Sequence, residues 1–204
     1  MNAKEKRVKV SAEKRNLILS SAREVFTETG LEGASLRAVA AHAGYTPAAL
    51  YFHFDSKEAL YAEVLNQSLD RLADYIQTAI KTVPSNEECL FTAAMAFFSF
   101  YKDNPEDLDL GFYLLRGGMK PAGLGRDRDL ALNSALENAL RPIAEEAMAL
   151  GATKQEANLL MVDCFAHATG LLLLLHTGRI RMFNASAIEL MEKYLHEKIE
   201  LLMS

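Results

Sequence analysis

The sequence of 204 residues has little cysteine, and it lacks strand-like alternation and any hydrophobic run long enough to cross a bilayer. Its two cysteines, Cys89 and Cys164, cannot form the disulfide framework of a small secreted domain. The N-terminus carries charges where a signal peptide requires an apolar segment, so we expect a reducing, cytoplasmic location. The most apolar run, residues 171–175, is too short for a membrane span, and we predict a buried helix there and no membrane partner.

Recognisable catalytic and metal-binding spacings are also missing from the sequence. The glycine-rich residues 117–126 lack the Lys-Ser/Thr ending of a phosphate-binding loop and the strand that precedes one, which favours a mobile connector. Cys164 and His167 share a helix face and could bind a metal, but a second Cys/His pair is not nearby. We therefore predict a buried thiol at Cys164, no metal, no cofactor and no enzymatic activity.

The formal net charge of −5 lacks the excess of cations that a nucleic-acid partner favours, but the charge is divided along the chain. Residues 1–60 hold nine Lys and Arg against seven Asp and Glu, whereas residues 61–204 hold thirteen against twenty. Four cations lie in the N-terminal arm: Lys4, Lys6, Arg7 and Lys9. This arm fits two interpretations, a flexible tail that follows phosphates or an ordinary solvated terminus.

Helix start and stop signals recur along the chain, and they predict an all-α protein of about nine helices. Four pairs resemble capping boxes: Asp55/Glu58, Ser85/Glu88, Thr153/Glu156 and Ser186/Glu189. The predicted helices are residues 12–29, two short helices within 35–54, then 55–81, 85–104, 106–116, 129–150, 153–177 and 186–202. Gly30 is expected to end the first helix, and Pro142 is expected to kink the seventh.

Residues 35–54 form the most informative segment of the sequence. Ser35 can cap a first short helix and Gly44 can end it, because glycine readily adopts the left-handed conformation that helix ends require. Thr46 can cap a second helix, and Pro47 fits its first position. The apolar positions at helical spacing are Leu36, Val39, Ala40, Ala43, Leu50 and Phe54. Two helices joined by a tight turn indicate a device that presents its second helix to DNA.

The same segment resembles the DNA-binding region of the TetR family of bacterial transcriptional regulators, over about residues 12–65. The motif residues are Leu50, Tyr51, His53, Phe54, Ser56, Lys57 and Glu58. The resemblance implies a three-helix, helix-turn-helix DNA-binding domain at residues 1–57. It also implies a helical effector-binding and dimerisation domain at residues 58–204.

The resemblance implies phosphate contacts from Ser35, Thr46, Tyr51, His53 and Lys57, and positions near base edges for Arg37, Pro47 and Ala48. Arg37 could read a guanine edge, clamp a phosphate or remain a solvated charge. Tyr51 could pack in the core, but Leu50 and Phe54 already occupy the inner stripe, so we predict an outward hydroxyl. For His53, helix-end packing and DNA contact both remain open.

The resemblance further implies a homodimer that leaves a near-palindromic operator, double-stranded DNA, when a small molecule binds the C-terminal domain. Apolar candidates for the effector pocket are Phe91, Met95, Phe98, Tyr101, Phe112, Tyr113, Met119, Met161 and Phe165, with Tyr113, Arg116 and His167 as polar groups. The alternative is that they form ordinary core. If Arg116 faces the cavity, an anionic effector is favoured; if it faces solvent, a neutral apolar one is.

Helices eight and nine are the expected dimer contact, because helix eight is apolar on nearly every side and needs cover beyond its own domain. The predicted interface residues are Leu171, Leu173, Leu174, Ile188, Leu195, Ile199 and Leu202. We therefore predict a ligand-released repressor. A different function for the same fold is a DNA-binding or interaction protein without a small-molecule effector.

Overall fold

The computed structural model describes residues 3–112 and 123–203, with backbone only for residues 3–12. Within these ranges the chain is helical and contains no strand, which confirms the all-α class. The helices are α1 Ala3–Gly33, α2 Leu36–His42, α3 Pro47–Tyr51, α4 Lys57–Ile80, α5 Asn86–Asp103, α6 Pro105–Gly111, α7 Arg126–Ala149, α8 Lys154–His176 and α9 Ala187–Met203. A 3-10 helix at Arg179–Phe183, which the sequence analysis missed, lies between α8 and α9.

The chain forms two compact units. The first unit comprises Met1–Ser68 and Glu106–Leu132, and the second comprises Leu69–Pro105 and Asn133–Ser204. The domain boundary predicted at residue 58 lies at the start of α4, whereas the division between the units falls inside α4. Helices α4 and α7 therefore each contribute to both units.

Helix α1 differs from its prediction at both ends. Its backbone is already helical from Ala3, so the basic arm continues the helix instead of forming the expected separate tail. Gly30 takes φ 70° and ψ 175°, and the chain then resumes helical geometry to Gly33. Glycine permits this left-handed residue without a steric penalty, so Gly30 kinks the helix where we expected it to end.

The core of the first unit is built from apolar positions at helical spacing. In α1 the buried residues include Ile18, Ala22, Val25 and Phe26, and Phe26 meets Tyr61 of α4 edge to face at 4.8 Å between ring centroids. Helix α2 contacts both α1 and α3 through its own buried positions. These contacts hold the short helices α2 and α3, which are too short to be stable alone.

Helix α6 is anchored to α1 and α4 within the first unit. Asp107 is 1% exposed and accepts two hydrogen bonds from the Arg23 guanidinium, at 2.8 and 2.7 Å. The hydroxyl of Ser68 also donates to Asp107, and the hydroxyl of Tyr61 donates to the Leu110 carbonyl at 2.8 Å. One buried carboxylate thus joins three helices.

In the second unit, α5 packs against α8 and α9, which also contact each other. The ring of Phe97 on α5 lies against Tyr101, at 5.0 Å, and against Phe165 of α8, at 5.6 Å. Apolar positions of α4 at helical spacing are buried, including Leu72 and Ile76 in this unit. Pro142 lies inside α7, and the kink expected there stays a prediction.

The predicted N-terminal caps are confirmed for α5, α8 and α9 and corrected for α4. Ser85 and Ser186 accept from the backbone N–H three residues later, and Thr153 forms a full capping box with Glu156. At α4, the hydroxyl of Ser56 accepts from the Ala59 N–H at 3.1 Å, in place of the Asp55 cap that we predicted. Because α4 begins at Lys57, the residue in the capping position is Ser56.

Candidate nucleic-acid interface

Side-chain caps fix the starts of both α2 and α3. The Ser35 hydroxyl accepts from the Ala38 N–H at 3.1 Å, and the Thr46 hydroxyl accepts from the Ala49 N–H at 3.3 Å. Pro47 is the first residue of α3, where its missing N–H leaves no helical bond unmade. Both caps follow from the sequence, because each is a local interaction within four residues.

The turn between the two helices depends on Gly44. Its φ of 70° is left-handed, and its N–H donates to the Ala41 carbonyl while that of Tyr45 donates to the Ala40 carbonyl. A Cβ placed on Gly44 would meet no atom within 4 Å, so the requirement for glycine comes from the backbone conformation and not from space. This confirms the predicted reason for glycine here.

The segment has one buried face and one exposed face. Buried positions are Leu36, Val39, Ala40, Ala43, Leu50 and Phe54, as predicted. The exposed residues include Ser35, Arg37, Thr46, Pro47, Ala48, Tyr51, Phe52 and His53. Tyr51 is 56% exposed, so its side chain does not pack in the core. All the predicted DNA-contacting residues except the half-buried Lys57 are therefore exposed, and their contacts with DNA remain predictions.

Lys57 is only half-buried and already has protein partners. Its ammonium donates to the backbone carbonyls of Leu31, at 2.9 Å, and Glu32, at 3.4 Å. These carbonyls lie at the C-terminal end of α1, where a cation is favoured by the helix dipole. The ammonium has a third donor, so this structural role is compatible with a phosphate contact.

Two further pairs brace the helix-turn-helix and were missed by the sequence analysis. His42 at the end of α2 contacts Glu24 of α1, Nε2 to Oε2, at 2.7 Å. Arg15 pairs with Glu63 at 2.6 Å, and its guanidinium lies 5.4 Å from the ring centroid of Phe54. The partners are 18 and 48 residues apart, which leaves no local signal in the sequence.

The predicted effector residues are distributed over both units. Tyr113, Arg116 and Met119 lie outside the described residues, and Phe112 belongs to the first unit. In the second unit, Phe98 and Tyr101 are buried and Met95 is half-buried. Phe165 faces Phe97 of α5, whereas the His167 ring stacks on Tyr194 of α9, with centroids 3.9 Å apart. Phe165 and His167 thus contact different helices.

A groove of ≈ 440 Å³ in the second unit lies apart from most of these residues. Phe91, from the predicted apolar set, lines it and stacks against His196 at 4.9 Å. The other lining residues are Thr82, Val83, Pro84, Glu87, Glu88, Thr92 and Ile199. Two carboxylates and one imidazole make this groove more polar than the predicted effector pocket.

The thiol of Cys164 is buried, in agreement with its predicted character. Burial raises its pKa to about 12, and the nearby Asp163 carboxylate acts in the same direction. A thiol in this state is a poor nucleophile and a poor metal ligand at neutral pH.

Helix α8 buries one side in its unit and exposes an apolar stripe on the other. We call Leu159, Val162, Ala166, Gly170 and Leu173 the α8 stripe; its large members are 62%, 57% and 50% exposed. By length and composition alone α8 could cross a bilayer, a possibility that we had considered only for residues 171–175. Core helices of soluble proteins meet the same criteria, so this is weak evidence for a membrane span.

The predicted dimer residues divide into exposed and buried groups. Leu173 and Ile188 are exposed, and Leu174 and Leu202 are half-buried. Leu171, Leu195 and Ile199 are instead part of the core of their own unit. We correct the prediction for these three, because a side chain already buried has little surface left to offer a partner.

Two capped helices, a glycine turn and an exposed second helix define a helix-turn-helix DNA-binding protein. Residues 18–64 match the family model described as bacterial regulatory proteins, tetR family. Over these residues the chain is similar to the DNA-binding domain of the TetR family.

Curated relatives match up to about half of the chain. The HTH-type transcriptional activator FasR of Mycolicibacterium smegmatis is 35% identical over 100 residues, 49% of this chain and 46% of FasR. The HTH-type transcriptional repressor KstR2 of the same organism is 37% identical over 87 residues, 43% of this chain and 42% of KstR2. Each match spans less than half of the relative's length.

A solved structure matches almost the whole chain. The transcriptional regulator FadR from Bacillus subtilis, in complex with stearoyl-CoA, has a TM-score of 0.66 and 16% sequence identity. The match covers 92% of this chain and 97% of FadR. At this identity the likeness shows the fold alone.

Proposed function

We propose that this protein is a DNA-binding transcriptional repressor that leaves its operator when a small, largely apolar molecule binds the second unit. The observation that supports the proposal is that Arg37, Thr46, Ala48 and Tyr51 of the helix-turn-helix are all exposed. Small residues at the start of α3 allow its backbone to approach base edges, while hydroxyl and cationic groups suit phosphates.

A symmetric dimer is part of the proposal. One helix-turn-helix reads too few base pairs to specify a site in a genome, and a dimer places two recognition helices roughly 34 Å apart on a near-palindromic operator. The α8 stripe supports self-association, because it is apolar and exposed and its small members Ala166 and Gly170 allow close approach. An isologous contact that includes α9 would bury about 2,000 Å² or more.

We propose an apolar effector because the aromatic rings of Tyr101 and Phe165 pack against Phe97 in the second unit. The stearoyl-CoA in the Bacillus subtilis FadR complex makes long-chain acyl-CoA thioesters the first class to test. Effector binding would tilt α4, which is shared by both units, and change the separation of the two recognition helices. A coupling of about 1 to 3 kcal/mol is enough for such a switch.

A second function, DNA binding without a small-molecule effector, is favoured by a different observation. Phe98 and Tyr101 are buried, as ordinary core residues are. A thermal-shift titration with stearoyl-CoA, octanoyl-CoA and free coenzyme A tests this point. Ligand-released repression requires that a thioester raise the melting temperature and release DNA, since a ligand bound only to the folded state stabilises it. If no thioester does so, acyl-CoA is excluded as the effector.

The DNA-binding proposal is tested by titrating the protein against duplexes from the region upstream of its own gene and against random duplex, at two salt concentrations. We expect tight binding to one upstream duplex and weaker, salt-steep binding to random DNA. Equal affinity for both would contradict a specific regulator. Tyr51→Phe isolates the exposed hydroxyl: unchanged operator affinity would remove its proposed phosphate contact. A reporter downstream of the bound duplex then distinguishes repression from activation.

A further inference from the structure

Phe52 is the most exposed large hydrophobic side chain of the described residues, at 85%. It directly follows α3 with right-handed helical geometry, φ −68° and ψ −27°, and its N–H donates to the Ala48 carbonyl. Its position in the sequence suggests no role, although it lies between Tyr51 and His53, which have predicted phosphate contacts. A phenylalanine this exposed contributes little to the core, so its apolar surface is available to a partner.

The position of Phe52 along the helix aligns it with the proposed DNA surface. It is four residues after Ala48 and therefore lies on the same helix face, one turn further on. Leu50, between them, points into the core and is fully buried. Phe52 thus extends the exposed surface of Ala48 and Tyr51, in the direction away from the N-terminus of α3.

The ring of Phe52 is also oriented by a neighbour. It meets the His53 ring edge to face, with centroids 5.2 Å apart and an interplanar angle of 86°. A side chain with only two rotatable bonds and one ring contact loses little conformational freedom when it binds. Such a group can recognise an apolar feature without a large entropic cost.

We propose that Phe52 determines specificity by contacting the C5-methyl group of a thymine in the major groove. This inference rests on the proposed function. The thymine methyl is the apolar group among the hydrogen-bonding features of the major-groove base edges, and a phenyl ring can neither donate to nor accept from those features. Contact with Phe52 therefore favours thymine over cytosine at one position in each half-site.

The test uses the tightest duplex that the wild-type protein selects from a random-sequence pool. Each thymine is replaced in turn by deoxyuridine, which lacks only the methyl group. We expect one symmetric pair of replacements to weaken wild-type binding by about 4-fold per half-site, the effect of exposing one buried carbon. Phe52→Ala should bind the thymine duplex at least ~10-fold less tightly than the wild type, because the lost phenyl ring has a larger apolar surface than one methyl group. The affinity of Phe52→Ala should not change when that thymine is replaced by deoxyuridine, because the ring that contacts the methyl group is absent.

Phe183→Ala is the matched control, since Phe183 is an exposed phenylalanine in the second unit. It should keep the wild-type affinity and the wild-type response to deoxyuridine. A wild-type protein indifferent to every replacement, or a Phe52→Ala variant that retains the response, would overturn the inference. Thermal unfolding of Phe52→Ala should match the wild type, because the side chain is not packed.

The two proposals fail in different ways. If the wild-type protein selects no sequence from the pool, the proposed specific regulator is wrong and the role of Phe52 falls with it. If it selects a duplex that Phe52→Ala binds equally well, the regulator stands and the inference on Phe52 alone is wrong.

Discussion

Lys57 connects the start of α4 to the end of α1. Its motif suggested only a DNA phosphate as partner, but the ammonium also donates to two carbonyls at the end of α1. A charged donor at a helix C-terminus satisfies groups that the helix leaves unbonded. Lys57 is therefore expected to affect both folding and binding.

Replacing Lys57 by Met keeps most of the aliphatic stem and removes the charge with its donors. We expect the free energy of unfolding to fall by about 1 kcal/mol, which lowers the melting temperature by roughly 2–4 °C. Binding to operator and to random DNA should weaken by a similar factor, because a phosphate contact carries no sequence information. Calorimetry and titration measure the two effects. Unchanged stability would contradict the role at α1.

His167 shows how burial sets a titration. Burial lowers its pKa from the ordinary value, and the Asp163 carboxylate opposes this only in part. The unfolded chain therefore binds a proton at a higher pH than the folded chain, so stability falls as the pH drops through about 6.5. Asp163 affects stability in a lower pH range. Lys198 lowers the pKa of Asp163, so the stability that the carboxylate contributes is lost only near pH 4 and below.

His167→Gln should flatten the fall in stability between pH 7.5 and pH 5.5, because the variant has no proton to bind at this position. Urea unfolding at several pH values compares the slopes of the two proteins. The expected result is a smaller loss on acidification for His167→Gln than for the wild type. Parallel slopes would show that the His167 pKa is the same in both states.

At the scale of the element, α6 depends on Asp107 for its position in the first unit. The carboxylate is buried and bonded to Arg23 and Ser68, which come from α1 and α4. Removal of one partner from a buried pair leaves the other charge without compensation. This helix should therefore be more sensitive to a single polar substitution than its seven-residue length suggests.

Asp107→Ala should lower the free energy of unfolding by about 3 kcal/mol, measured in urea. Glu106→Ala is a matched control on the same helix, because its side chain is exposed and lies 3.9 Å from Arg23. This control should cost less than about 0.5 kcal/mol. Similar losses for both variants would mean that charge near Arg23, and not the buried contact, holds α6.

At the scale of the whole molecule, two features of the second unit bear on assembly: the exposed α8 stripe and the net negative charge. An exposed apolar face on a helix of this length favours burial against a partner. The second unit holds nine Lys and Arg against fourteen Asp and Glu, and this net negative charge disfavours DNA there. Self-association through the α8 stripe would bury the apolar face and leave the DNA-binding surface of the first unit free.

Leu173→Glu tests this assembly, because it places a charge on the proposed contact surface of each protomer. We expect a shift from dimer to monomer by sedimentation equilibrium and operator binding weakened on the order of 100-fold. Leu130→Glu is the control, since Leu130 is a similarly exposed leucine on α7. A Leu173→Glu variant that remains dimeric would contradict the α8 contact.

Local features of the fold were predictable from the sequence. Ser35, Thr46 and Thr153 cap their helices through residues three positions away, and Gly44 adopts the left-handed turn that its neighbours require. The buried stripe from Leu36 to Phe54 follows from helical periodicity. Each of these depends on a few consecutive residues, for which the chain has little conformational choice.

The sequence alone therefore determined the all-α class, the helix-turn-helix and the face that the helix-turn-helix exposes. Tertiary structure decided which distant groups meet: Arg23 with Asp107, 84 residues away, and Lys57 with Leu31. It also decided that Leu195 lies in the core while Phe52 is exposed. Helical periodicity fixes which residues share a face, but which neighbour covers that face depends on how the helices pack, and a single sequence carries no local signal for that.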